Sequence, residues 1–216
     1  MFKEMFEKFA EISPLVWGIL AALLLLSVIG ILLTRSKKMW NTRMLVYGAL
    51  CLALSFVLSY IRLFHMPQGG SVTPASMLPI MLYAYAFGPV PGLLVGAANG
   101  LLQLLQDMYV VHPLQLVLDY PLAYAMIGLA GCFRKQKNLW AGVLLGGFAR
   151  WLCAVISGTV FFAEYAPEGQ PALLYSMGYN GAYMGVDTAI CLVISLVPPL
   201  KHQLDRISFD MKKAVK

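Results

Sequence analysis

Long apolar runs separated by short polar or Pro/Gly-rich breaks organise this chain. They cover residues 14–34, 44–64, 77–87, 93–106, 114–133, 139–162 and 174–197. Most approach 20 residues, the length a helix rising about 1.5 Å per residue needs to cross about 30 Å of hydrocarbon. Their hydrophobicity is continuous rather than alternating in period two, which argues for helices and against a membrane barrel. The pattern therefore predicts seven membrane-spanning helices and very little soluble mass. Gly, Ser and Pro crowd the break at 65–75, and further breaks fall at 88–92 and 110–113. No internal repeat is evident. The first run is long for a signal-peptide core, and Arg35, Lys37 and Lys38 follow it rather than a small-residue cleavage site. It is expected to be an uncleaved anchor. The expected organisation is an anchor and basic linker over 1–40, a helical core over 41–200 and a basic tail over 201–216.

Composition supports a membrane assignment. The 216 residues are 60% hydrophobic and 12% charged, with mean hydropathy +0.73, whereas soluble domains carry about 25% charged residues. The net charge of +6 first raises nucleic acid as a partner. The basic residues form no face, however. Four lie in 35–43, three in 134–138 and five beyond Pro199, while 65–76, 108–113 and 163–172 hold none. This distribution reports topology: basic segments cytoplasmic, the N-terminus outside and the C-terminus inside, with no nucleic-acid role.

Recognisable catalytic chemistry is missing. The chain has no GxxxxGK[ST] phosphate loop, no HExxH and no GxSxG, so neither an enzyme nor a cofactor is expected. Cys51, Cys132, Cys153 and Cys191 show no metal-ligand spacing and read as small buried hydrophobes, with no metal implied.

Polar residues inside the spans carry the functional signal. Asp119 lies about five residues from the outer end of its helix, roughly 8 Å deep. Gln115, four residues earlier, shares its face. Tyr175, Tyr179, Asn180 and Tyr183 reach a similar depth, and Asn99, Gln103 and Gln106 make a polar stripe. For the stripe, interhelical hydrogen bonding and ligand contact both stand open. For Asp119 beside Tyr120 a ligand site is favoured, because a carboxylate near the outside suits a cationic or amino-bearing guest. Arg150 and Asp187 sit at matching depths and read as an intramembrane ion pair, with Arg150 at the border of the ligand site as the alternative. Ala49 and Ala53 form a small-xxx-small patch, which on sequence alone reads as packing within the bundle.

Four blocks bring a family into view: PQGGSVT over 67–73 with SMLP over 76–79, HPLQLVLDYPLAYAMIGLAG over 112–131, YAPEG over 165–169, and YSMGYNG over 175–181. Together, across about residues 42–200, they resemble the thiamine-specific S component of energy-coupling factor (ECF) vitamin transporters. The resemblance implies an all-α integral membrane fold, with a six-helix core to which the 14–34 helix is an addition. It implies high-affinity capture of thiamine at the outer face of a bacterial cell membrane, and partnership with a transmembrane coupling subunit and two ATPase subunits. Ligand roles carry over to Asp119, Tyr120, Tyr109, Phe162, Tyr175 and Asn180, and the 65–76 loop becomes a lid. The resemblance also moves Ala49 and Ala53 to the coupling-subunit contact. The chain departs from the family pattern at Ala154, where a ligand-contacting histidine is expected, and at Asp119, where a glutamate can occur. Two alternatives stay open: an S component for a pyrimidine or thiazole relative of thiamine, and a standalone proton-coupled transporter using Asp119 or Asp187.

Overall fold

The computed structural model describes residues 41–106, 108–134 and 138–215. The expected 14–34 anchor lies outside them. Helix α1 spans Thr42–Tyr60 and leads into a small antiparallel hairpin, β1 (Phe64–His65) with β2 (Ser71–Val72). Then follow α2 (Leu78–Phe87), α3 (Pro89–Gln106), α4 (Pro113–Phe133), α5 (Leu139–Phe161), α6 (Ala172–Leu196) and α7 (Pro198–Val215). The first six helices follow the order expected of the core.

By length and hydropathy α1, α4 and α5 each suffice to cross a membrane, and α6 does so jointly with α7 across an 85° bend. The α2 helix has 10 residues, about 15 Å at 1.5 Å per residue, and cannot span alone. Its burial explains the composition: every residue from Leu78 to Ala86 is buried. A helix apolar all round is a core element, enclosed by the others. It stops at Gly88, whose φ of 108° only glycine adopts readily. The next helix starts four residues earlier than the 93–106 run, because Pro89 and Pro91 fit a helical first turn that needs no N–H partner.

The α4 helix is locally irregular. His112 caps its start by accepting from the Leu114 N–H at 3.1 Å. Pro121 then lacks an N–H and crowds the preceding turn, and the backbone widens to a π-turn over Leu118–Leu122 before tightening to 3-10 geometry over Ile127–Phe133. Asp119 and Tyr120 sit on that widened turn. Glycines of α3 let it come close. A Cβ at Gly100 would stand 2.3 Å from the Tyr120 carbonyl oxygen, and one at Gly96 2.3 Å from that of Tyr124.

The segment read from sequence as a basic tail is largely helical. In α7, Ser208 and Met211 are buried and Leu204 partly so, an i, i+4, i+7 stripe against the bundle, while Lys201, Arg206 and Lys213 face outward. The Arg43 guanidinium donates to the Ala214 carbonyl, and Lys212 Nζ stands 5.0 Å from the Tyr85 ring centroid. Cys153 and Cys191 are buried as expected, but Cys132 is exposed near the end of α4.

Candidate ligand-binding site

At the end of the bundle covered by the hairpin lies a cavity of about 240 Å³, lined from α1, the hairpin segment, α3, α4, α5 and α6. The volume fits a small organic molecule. One wall is the widened turn of α4. Gln115 Nε2 donates to Asp119 Oδ2 at 2.6 Å and to the Tyr109 carbonyl at 3.1 Å, and its own carbonyl accepts from the Val111 N–H at 3.2 Å. The buried amide therefore ties the 109–111 loop to the carboxylate. Tyr120 joins the same tie by accepting from the Tyr109 N–H at 3.0 Å.

Beside this wall stands an aromatic slab. The Tyr109 and Phe162 rings stack at 5.8 Å and 27°, and Phe162 and Tyr165 stack at 6.0 Å and 17°. The two tyrosine hydroxyls close the arc at 3.0 Å. Phe162 occupies this position because α5 ends there, at φ −128°, and the chain turns through the short 3-10 segment Ala163–Tyr165. Stacked faces next to a carboxylate suit a flat or cationic guest.

The hairpin segment crosses the mouth. Its tip rests on α6: the Gln68 N–H donates to the Tyr179 hydroxyl at 2.9 Å, which donates in turn to the Gly69 carbonyl at 2.9 Å, and Tyr175 donates to Gln68 Oε1 at 2.8 Å. Gly69 and Gly70 have φ near +90°, and a Cβ at Gly70 would meet the Tyr183 ring at 2.6 Å. Only glycine lets the strap lie this close.

Arg150 and Asp187 line the deep part of the cavity and are both buried. Each spends its hydrogen bonds elsewhere than on the other. Arg150 Nη2 donates to the Tyr124 hydroxyl at 3.0 Å, while the Asp187 carboxylate accepts from Thr73. The expected pair is thus a buried neighbourhood of opposite charges rather than a direct bridge. Among the described residues, no three His, Cys, Asp or Glu side chains gather as a metal-ligand set.

The structure brings Asp119, Tyr120, Tyr109, Phe162, Tyr175, Asn180 and Arg150 to this one cavity. Asn180 differs from the others in how it is occupied. Its amide donates to the Ser176 carbonyl at 3.0 Å and to the Ala154 carbonyl at 3.4 Å, and its oxygen accepts from Tyr183 at 3.1 Å. It cross-links α5 and α6 at the cavity wall. Gln103 and Gln106 line the cavity but also bond Ser59 of α1, so these two members of the polar stripe tie α3 to α1. Sequence reasoning sets Tyr179 and Tyr183 at this depth without a ligand role and gives none to Tyr124, Tyr165 or Gln68, yet all five line the cavity. The four-residue spacing of Tyr175, Tyr179 and Tyr183 was the available signal. Ala154 is buried at the wall. Ala49 and Ala53 are exposed on α1, which contradicts packing within the bundle.

Comparison with known proteins agrees with this architecture. Residues 45–206 match the family model described as thiamine transporter protein (Thia_YuaJ). A relative named thiamine transporter ThiT from Bacillus subtilis (strain 168) is 39% identical over 144 residues, covering 60% of this chain and 74% of the relative. Another of that name from Lacticaseibacillus paracasei is 30% identical over 161 residues, covering 64% and 80% respectively. The solved structure of ThiT from Listeria monocytogenes superposes with a TM-score of 0.66 at 27% identity, over 76% of this chain and 98% of that one. The chain is a multi-pass membrane protein and belongs to the thiamine transporter protein family.

Proposed function

We propose that this protein is the thiamine-capturing membrane subunit of an ATP-driven vitamin importer. Asp119 carries the reading. Of the two carboxylates on the cavity, Asp187 is occupied by the strap, whereas Asp119 accepts from the neutral Gln115 amide and lines the same cavity as the Tyr109–Phe162–Tyr165 slab. Thiamine offers a thiazolium cation and a flat aminopyrimidine. A carboxylate oriented by a neutral donor keeps its charge for such a guest, and aromatic faces supply the rest. In this reading Asp119 accepts from or pairs with the ligand, and Phe162 and Tyr109 stack on it. Tyr120 and Tyr175 hold the loop and strap that enclose it, while Asn180 and Arg150 shape the wall and floor. The strap over 65–76 acts as the lid.

The coupled half of the proposal rests on α1. Ala49 and Ala53 lie exposed among Leu45, Val46, Leu50, Leu54 and Val57, a small-residue patch that lets another membrane helix approach. We assign this face to a transmembrane coupling subunit driven by two ATPase subunits. The basic segments then lie in the cytoplasm and the cavity opens to the outside of a bacterial cell membrane.

Calorimetric titration of the purified protein with thiamine, its pyrimidine half and its thiazole half tests the ligand. Thiamine is expected to bind more tightly than either half. Tighter binding of one half would replace thiamine with a precursor. Uptake into vesicles that lack ATPase partners, driven by a pH gradient, would replace the coupled importer with a proton-driven carrier.

A further inference from the structure

Tyr175, Tyr179, Tyr183 and Asp187 repeat every four positions along α6, so they share one slowly winding face of that helix. Every member of the row engages the strap. Tyr175 and Tyr179 bond Gln68 and Gly69, the Tyr183 ring lies beneath Gly70, and Asp187 takes Thr73. The contacts are graded. At the tip they are neutral hydroxyl bonds in exposed surroundings. At the base the Thr73 N–H donates to Asp187 Oδ1 at 2.7 Å, and the Thr73 hydroxyl lies 3.2 Å from Oδ1 and 3.3 Å from Oδ2. That carboxylate is 2% exposed. The same end is also tied to α1, because Ser55 Oγ donates to the Ser76 carbonyl at 2.6 Å and Ser76 Oγ lies 2.7 Å from the Thr73 hydroxyl. Hydrogen bonds shielded from water, with Thr73 placing both its N–H and its hydroxyl on one buried carboxyl, outlast single hydroxyl bonds beside solvent.

We propose that Asp187 is a positioning residue for ligand capture: it pins the base of the strap through Thr73, so that the strap opens from its Gln68 tip while its base stays docked. Gly69 and Gly70, both at positive φ, give the tip its freedom. The proposal rests on the cavity being the ligand site, but its first readout needs no ligand.

The test is amide-resolved hydrogen exchange on the full, ligand-free chain in nanodiscs, joined to stopped-flow binding with thiamine as the probe. Asp187→Ala should raise exchange at Thr73 at least tenfold, and Tyr179→Phe should raise it at 68–70 while leaving Thr73 protected. Asp187→Asn keeps an acceptor for the Thr73 N–H and should restore protection to within about threefold of wild type. Thiamine should leave Asp187→Ala at least tenfold faster and associate within about twofold of the wild-type rate. Should Asp187→Ala not fold, Thr73→Val takes its place, with about threefold faster exchange at residue 73 and faster release. Wild-type protection at residue 73 in both variants would overturn the proposal. So would Asp187→Asn behaving like Asp187→Ala, since that would make the carboxylate a counter-charge for Arg150 only. If wild-type protein fails to bind thiamine, the functional reading falls and the exchange data still decide the pin.

Discussion

Gln115 donates to the Asp119 carboxylate at 2.6 Å and accepts from the Val111 N–H with its other end. A neutral amide, rather than a cation, thus aims the carboxylate into the cavity. Removing it leaves the charge but not its direction. Gln115→Leu is expected to weaken thiamine binding about tenfold, or about 1.4 kcal/mol, the range of one net hydrogen bond. Calorimetry gives the number, and unchanged affinity would separate Gln115 from the site.

The stack of Tyr109, Phe162 and Tyr165 predicts a graded loss. Phe162→Leu keeps apolar bulk and removes the ring face. A lost ring–cation or ring–ring contact is worth about 0.5–2 kcal/mol, so affinity should fall about 3- to 30-fold. Phe162→Tyr should hold within about threefold. Equal losses in both variants would mean the ring only fills space.

Gly100 fixes where the widened turn of α4 sits. Adding a Cβ 2.3 Å from the Tyr120 carbonyl must push α3 and α4 apart, at a cost of about 1–3 kcal/mol for overpacking. Gly100→Ala should lower the midpoint of thermal unfolding and weaken thiamine binding together, since Asp119 and Tyr120 ride on the displaced turn. Gly178→Ala is the control, with nothing within 4 Å of its Cβ. A fall in stability with full affinity would uncouple that turn from the ligand.

For the exposed α1 patch the two readouts should separate. Ala49→Trp and Ala53→Trp should leave thiamine affinity within about twofold and abolish ATP-dependent uptake in vesicles carrying the partner subunits. A bulky ring at a small-xxx-small contact prevents close helix approach. Full uptake in either variant would move the coupling face elsewhere.

Much of this was legible in the sequence because its signals are local. Apolar length located the α1, α4, α5 and α6 spans, and the spacing of Gln115 and Asp119 put both on one face. What stayed hidden depends on contacts across the chain. Nothing local to Asp187 says that it holds Thr73, 114 residues away, so its charge suggested Arg150 instead. The central place of α2 is equally non-local: ten apolar residues read as a short span until the other helices are seen to enclose them. The bend into α7 had a visible cause in Pro198 and Pro199, but basic residues masked an inward stripe of Leu204, Ser208 and Met211.

The central claim is that Asp119 is the carboxylate that receives a cationic, amine-bearing vitamin. The most direct measurement is calorimetric titration of wild type and Asp119→Asn with thiamine in the same nanodiscs. Asparagine keeps the shape and removes the charge. Hydrogen bonds to charged groups contribute about 1.5–3 kcal/mol, so the variant should bind thiamine about 10- to 150-fold more weakly, with an unfolding midpoint near that of ligand-free wild type. Equal affinity in the two proteins would contradict the account.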